Sequence, residues 1–314
     1  MKFIADMRES DNIIGHYFCK AKQSLKTKTG KTYYSITLQD KTGTAEGKVW
    51  DLNRDIQDFE EGDMIKIDAT ALLYNNDIQL KVHKTRRSQE GEYAMSDYIP
   101  CTEKNIDEMY SQIVSLVESV KNVHIKTLLE NILVKNPERA NLLKTHSAAK
   151  MMHHSYMGGL LEHILSVAQL CDFLSSRYKY VNRDLLIAGA LLHDIGKIYE
   201  LSPMPKNEYT DDGQMLGHII IGVEMVAVEV LNIEGFPHQV ASLIKHLIIS
   251  HHGEFEFGSP KLPSTAEAML LHYADNIDAK LKTIEEVLDK NTAPGPWTGF
   301  QKPLGRYLRN SDIE

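Results

Sequence analysis

Cysteine is scarce and poorly placed for cross-linking. Three are present, Cys19, Cys101 and Cys171, odd in number and without C-x-x-C spacing. That pattern excludes a disulfide framework or a zinc-thiolate site as the organising device. Also missing is any run near the roughly 18 apolar residues of a membrane helix. The opening MKFIADMRESDN places charges where a signal peptide needs an apolar stretch, so the expectation is a soluble, cytoplasmic protein with no membrane partner. Nor is there an excess of positive charge. The formal net charge of −8 excludes a chain that is basic throughout. Internal repeats and low-complexity tracts are absent as well.

What is present falls into two unlike parts, and 314 residues suffice for about two domains. Residues 1–90 hold 15 Lys/Arg against 14 Asp/Glu, whereas the remainder holds 20 against 29. The acidic part suits a domain that concentrates cations. Within the first part, Lys20, Lys22, Lys26, Lys28 and Lys31 form a basic stretch with no acid between them. From Ile13 to His83, short β-branched and aromatic runs alternate with turn residues. They predict strands near 13–23, 31–39, 44–50, 63–73 and 77–84, with turns at Thr29-Gly30, Asp40–Gly43, Glu61–Asp63 and Asn75–Asp77. A short helix over Asp51–Phe59 would complete the layout of an OB-like barrel.

Residues 85–100 read as a linker, after which the hydrophobic period becomes helical. Ile106, Met109, Tyr110, Ile113, Leu116, Val117 and Val120 lie at i, i+3, i+4, i+7 spacing, and the pattern recurs over 124–134, 158–177, 183–200, 217–233, 237–250 and 264–289. Helix starts are expected at Thr102 and at Ser264-x-x-Glu267. The tail from Asn291, rich in Pro and Gly, should be irregular and lie on the surface. The fold class is therefore multidomain β + α, a five-stranded barrel (1–90), a linker and helical lead-in (91–150), an all-α bundle (151–290) and an irregular tail (291–314).

Eleven of the fourteen histidines lie between His146 and His272. The informative positions are His163, the adjacent pair His193-Asp194, His218, His251-His252 and Asp275. Imidazole and carboxylate together suit Mn, Fe, Co, Zn or Ni. Neighbouring helix residues point about 100° apart, so His193 can ligate one ion while the two oxygens of Asp194 are shared between two. The helix bearing the pair should end at Gly196 in the left-handed conformation, leaving Lys197 beside the ions to hold a phosphate. A two-ion site provides both an ionised water and a counter-charge for a transferring phosphoryl group. The leaving oxygen would take its proton from water or from a nearby histidine, for which His154 is the candidate, with a phosphate contact or a place behind the ligands as its other roles.

The His/Asp series resembles that of the HD-domain phosphohydrolase superfamily, H…HD…D with further histidines between in dinuclear members. Over roughly 150–290 the resemblance implies that His163, His193, Asp194 and Asp275 form a first metal site. His218 and His251 would join Asp194 at a second, with His252 a further ligand or phosphate contact. Asp278, three residues past Asp275 on the same face, would orient a ligand. Along the whole chain, a barrel ahead of H-H-x-Y-x-G-G-L-L-E-H (His153 to His163), L-L-H-D-I-G-K and S-H-H-G is similar to YhaM-type 3′-5′ exoribonucleases. That similarity implies removal of 3′-terminal nucleotides from single-stranded RNA, and from single-stranded DNA, as nucleoside 5′-monophosphates. It implies one or two Mn²⁺ or Co²⁺ ions per chain and is compatible with a homo-oligomer. The stretch after His252, GEFEFGSPKLP, lacks the Gly-Tyr-Pro of related cyclic-dinucleotide phosphodiesterases. Two other readings are a nucleotide or cyclic-nucleotide phosphohydrolase and a noncatalytic RNA-binding protein.

An OB-fold binds single strands by stacking bases on aromatic rings and guiding phosphates with basic loops. The lysine stretch Lys20–Lys31 is expected as the loop between strands one and two. Strand alternation exposes Tyr33 and Trp50 as platforms and turns Tyr34 toward the core.

Overall fold

The computed structural model describes residues 2–311 apart from 76, 90, 151–153, 290 and 292–294. Asn76 of the last predicted turn, His153 and Pro294 thus lie outside the described residues. The chain divides into two compact units, Met1–Cys101 and Thr102–Glu314.

The first unit is built on β1 (Asn12–Lys26), β2 (Thr32–Asp40), β3 (Gly43–Val49), β4 (Met64–Tyr74) and β5 (Asp77–Arg87). They close in the order β1-β2-β3-β5-β4, the OB arrangement. Long β1 makes closure workable, pairing its first half with β4 and its second with β2. A short parallel pairing of β3 with β5 completes the ring. Alternate residues point inward, so Ile36 and Leu38, Val49, Ile65 and Ile67, and Leu80 fill one buried core. No helix forms over 51–59. The segment instead pairs with β5, Gln57 N–H donating to the Thr85 carbonyl and Thr85 N–H to that of Asp55, and drops Phe59 into the core. Its backbone is satisfied by the barrel, which removes the need for helical bonds. Beyond β5 the expected linker is packed rather than loose: Tyr98 is buried with Phe18 and Met64.

The second unit is helical: α1 (Ile106–Glu118), α2 (Val123–Leu129), α3 (Pro137–Thr145), α4 (Gly159–Arg177), α5 (Arg183–Leu192), α6 (Lys197–Glu200), α7 (Asp211–Leu231), α8 (His238–Ser250) and α9 (Ala266–Asp289). One hydrophobic core runs through it, including Ile113, Leu128, Leu161, Ile164, Leu186, Ile195, Val226, Ile248 and Leu271. Two helix starts differ from expectation. Asn105, not Thr102, caps α1, accepting from the N–H groups of Asp107 and Glu108. Thr102 Oγ1 donates to the buried Glu162 instead. At α9, Thr265 Oγ1 caps the Ala268 N–H, and Glu267 is drawn away to accept from the Asn182 N–H. In both cases a tertiary partner claims the residue that local patterning assigned to the cap.

Helix α7 is long and apolar enough to cross a membrane by length and composition alone. Ile219, Ile221, Met225 and Val226 nevertheless join the core of this unit, and Gly217 interrupts the helix with φ 71° and ψ 161°.

Candidate metal centre and nucleic-acid face

The His-Asp pair sits just past α5. Against expectation, Gly196 is right-handed, with φ −61° and ψ −19°, and residues 193–196 form a turn leading into α6. The glycine is needed for another reason. A Cβ there would lie 2.0 Å from the His218 carbonyl oxygen, so only glycine lets α7 pack this close.

That approach gathers four imidazoles around Asp194. Each is aimed by a bond at Nδ1. Carbonyl oxygens only accept, so His193 Nδ1 donates to Ala190 (2.9 Å) and His251 Nδ1 to Ile248 (2.7 Å). His163 Nδ1 donates to Asp278 (2.7 Å) and His218 Nδ1 to Glu200 (3.0 Å). All four therefore present an Nε2 lone pair to the same carboxylate, the arrangement in which an outer partner fixes the tautomer of a metal-ligating histidine.

The two oxygens of Asp194 face different clusters. Oδ2 lies 3.4 Å from His163 Nε2 and 3.5 Å from His193 Nε2, while Asp275 Oδ1 is 3.2 Å from His163 Nε2. Oδ1 lies 3.4 Å from His218 Nε2 and 3.7 Å from His251 Nε2. Ligands about 2.0–2.2 Å from one ion stand at roughly such separations from each other. Two observations favour cations here. Asp194 Oδ1 and His218 Nε2 are buried without a hydrogen-bond partner among the described residues, and such groups are costly to leave unpaired. His163 Nε2 and His193 Nε2 are 3.2 Å apart, so with both Nδ1 atoms protonated a positive charge, a proton on His163 or a metal ion, must lie between them. The donors present, nitrogen and oxygen without sulfur, fit one or two divalent ions.

The electrostatics agree. Burial alone would lower the pKa of His163, but Asp194, Asp275 and Asp278 outweigh it and raise the value well above the ordinary one, so the carboxylates favour a positive charge at its Nε2, a place that a metal ion or a proton can fill. Burial would likewise raise that of Asp194, yet Lys197 and His193 hold it well below. His193 and His251 go down, chiefly through burial, which keeps them neutral and fit to ligate.

Lys197 Nζ lies 2.7 Å from Asp194 Oδ2. His252 flanks the second cluster, with Nδ1 donating to the Phe257 carbonyl and its ring 5.3 Å from that of His218. His154 stands elsewhere than a proton donor to substrate would. It is buried behind His163, with Nε2 3.1 Å from Asp278 Oδ2 and Nδ1 3.0 Å from the Tyr156 hydroxyl, so both ring nitrogens are engaged. Asp278 collects His163, His154 and Ser166 on its two oxygens. Glu200, which aims His218 through both its ring and its backbone N–H, escaped sequence reasoning. Its place three residues past Lys197 carried a signal only once the Gly217 break and the α6–α7 turn were known.

On the barrel, Tyr33 and Trp50 stack with centroids 4.5 Å apart, Trp50 being 37% exposed. Tyr34 turns inward, edge-on to Phe59. The lysine stretch is not a loop. β1 carries Lys20, Lys22 and Lys26, and only residues 27–31 form the turn. Lys22 pairs with inward-facing Ile36, and its ammonium lies over the Tyr34 and Phe59 rings and reaches the Phe59 carbonyl. Being part of the barrel's own packing, it is a poor phosphate contact. Lys31 is ion-paired with Asp51, and Lys20, Lys26 and Lys28 are exposed. Lys48, ion-paired with Glu46, lies on the aromatic face 5.9 Å from the Tyr33 centroid.

Comparison with known proteins adds to this geometry. The HD domain family matches residues 160–280. The 3′-5′ exoribonuclease YhaM of Geobacillus sp. (strain WCH70) is 35% identical over 288 residues, covering 88% of this chain and 87% of the relative. Among solved structures, the second OB-fold domain of replication protein A from Methanococcus maripaludis is matched at 16% identity and a TM-score of 0.24, over 29% of this chain and 96% of that one.

Proposed function

The chain belongs to the YhaM family of 3′-5′ exoribonucleases, and from that premise we propose how its residues divide the work. It is a metal-dependent exoribonuclease with an HD domain and a nucleic-acid-binding OB barrel. Our reading of the site is a dinuclear one: His163, His193, Asp194 and Asp275 around one ion, His218, His251 and the other oxygen of Asp194 around the second, with Mn²⁺ the preferred metal. The observation that carries it is the pair of buried atoms Asp194 Oδ1 and His218 Nε2, without a hydrogen-bond partner among the described residues, on the side away from the first cluster.

When bound, the ions supply a water ionised near neutral pH and a counter-charge for the phosphoryl group. The chain's own residues do the rest. The Lys197 ammonium, held beside Asp194, is within reach of a nonbridging phosphate oxygen and would grip it as a point charge. Water adds to phosphorus, the bond from phosphorus to the 3′-oxygen of the preceding ribose breaks, and that oxygen takes up a proton. A nucleoside 5′-monophosphate leaves. His154 acts through Asp278 on the orientation of His163, and the proton comes from solvent. The Tyr33/Trp50 pair with Lys48 would hold single-stranded RNA, and also single-stranded DNA, by base stacking. A cytoplasmic location accords with RNA as substrate.

The test is a product ladder from 5′-labelled single-stranded RNA, with and without Mn²⁺. Stepwise shortening from the 3′ end that requires the metal is expected. Internal cuts, or shortening unaffected by a chelator, would overturn the reading.

A further inference from the structure

Beside the metal centre lies a cavity of about 360 Å³ that the mechanism above leaves unused. Two site residues, His252 and Asp275, line it, so it opens onto the place where the scissile phosphate would lie. Its floor is one face of α9, where Asn276 and Lys280 succeed Asp275. Phe257 and Leu304 add apolar walls. We infer that this cavity holds the 3′-terminal nucleoside of the substrate, an inference that rests on the exonuclease reading.

Size, lining and rigidity each support it. The volume is at the low end of small-ligand pockets, roughly 300–1,000 Å³, a size that suits a single nucleoside. The pocket's character is mixed. Phe257 and Leu304 offer surfaces for the faces of a base, and Asn276, whose amide both donates and accepts, can meet the edge of any base. The site would therefore bind a base without choosing among them. Phe257 is 60% exposed, an aromatic ring left for a partner to cover. It is also held in place: its carbonyl accepts from His252 Nδ1 at 2.9 Å and its N–H donates to the Glu254 carbonyl at 3.1 Å. The ring is thereby tied to a residue facing the metal centre. The exposed Lys280 ammonium adds a positive charge on the α9 face of this pocket.

The test uses the Mn²⁺-loaded full chain and two short RNAs, identical except that one ends in an abasic ribose. With the wild type, loss of the terminal base should lower kcat/KM about tenfold. With Phe257→Ala the two RNAs should be cleaved equally well. A second arm measures adenosine 5′-monophosphate binding by calorimetry, where Phe257→Ala and, separately, Leu304→Asp should each weaken the complex about tenfold. An abasic penalty that persists in Phe257→Ala, or monophosphate binding untouched by both substitutions, overturns the proposal. Should the wild type shorten neither RNA, the exonuclease reading fails by itself. The calorimetric arm then still decides whether the pocket takes a nucleotide.

Discussion

Two Lys-Asp pairs, one in each unit, show how differently the same residue types work in this molecule. Lys31 and Asp51 meet on the barrel surface with both side chains more than half exposed, where water and salt screen the attraction. Lys197 and Asp194 meet with 16% and 3% exposure, among four histidines and a second aspartate. There neither charge is free to seek water, and each holds the other's ionisation in place. The Lys31–Asp51 pair can be opened by water or salt without disturbing the barrel. A charge in the helical unit is committed to a site, and its worth depends on every neighbour staying put.

The largest expected effect tests that commitment. Asp194→Asn should lower turnover by on the order of 10⁴-fold while leaving the dissociation constant for single-stranded RNA nearly unchanged, as read by steady-state kinetics beside filter binding. Near-normal turnover with metals controlled would break the comparison at its strongest point. Next comes the support of His163. Asp278→Ala removes the acceptor that aims the ring, and a loss of about 10–100-fold in Mn²⁺ affinity is expected in a calorimetric titration. On the barrel side, Trp50→Ala should weaken RNA binding by roughly 1–3 kcal/mol and spare hydrolysis of a small phosphodiester such as bis(p-nitrophenyl) phosphate. Equal loss on both substrates would mean that the two units do not divide the work.

The smallest effect concerns an exposed carboxylate. Glu92 accepts two hydrogen bonds from Arg86 and one from the Gln89 N–H, which hold its pKa down to about 2 from an ordinary 4.5. A carboxylate whose folded pKa is depressed stabilises fully above its unfolded value and loses that contribution as pH falls toward the folded one. Acid unfolding of the wild type should therefore steepen between about pH 4.5 and 2, and Glu92→Gln should flatten that part of the profile. High salt should shrink the difference.

Much of this was legible because periodicity survives folding. Each strand lies within three residues of its predicted span, since alternation in β2–β5 is set by which residues can face a barrel core. The misreadings share one cause: a tertiary partner outbid a local preference. Thr102 donates to Glu162, Glu267 caps Asn182, 51–59 pairs with β5, Lys22 packs on Tyr34, and Gly196 is a point of helix contact rather than a helix terminator. His154 was drawn behind the site in the same way, by Asp278 and Tyr156.

From the order of residues alone came the set of donors around an HD pair, their nitrogen-and-oxygen chemistry, and a barrel placed ahead of them, because composition and spacing limit which elements and ligands a chain can form. Tertiary structure decided which atom of each donor faces which: that Asp194 turns one oxygen to His163 and His193 and the other to His218 and His251, that Glu200 and Asp278 aim the rings, and that a cavity of about 360 Å³ lies beside Asp275. Those facts depend on helices distant in sequence packing within a few ångströms of one another, and spacing along the chain carries no such distance.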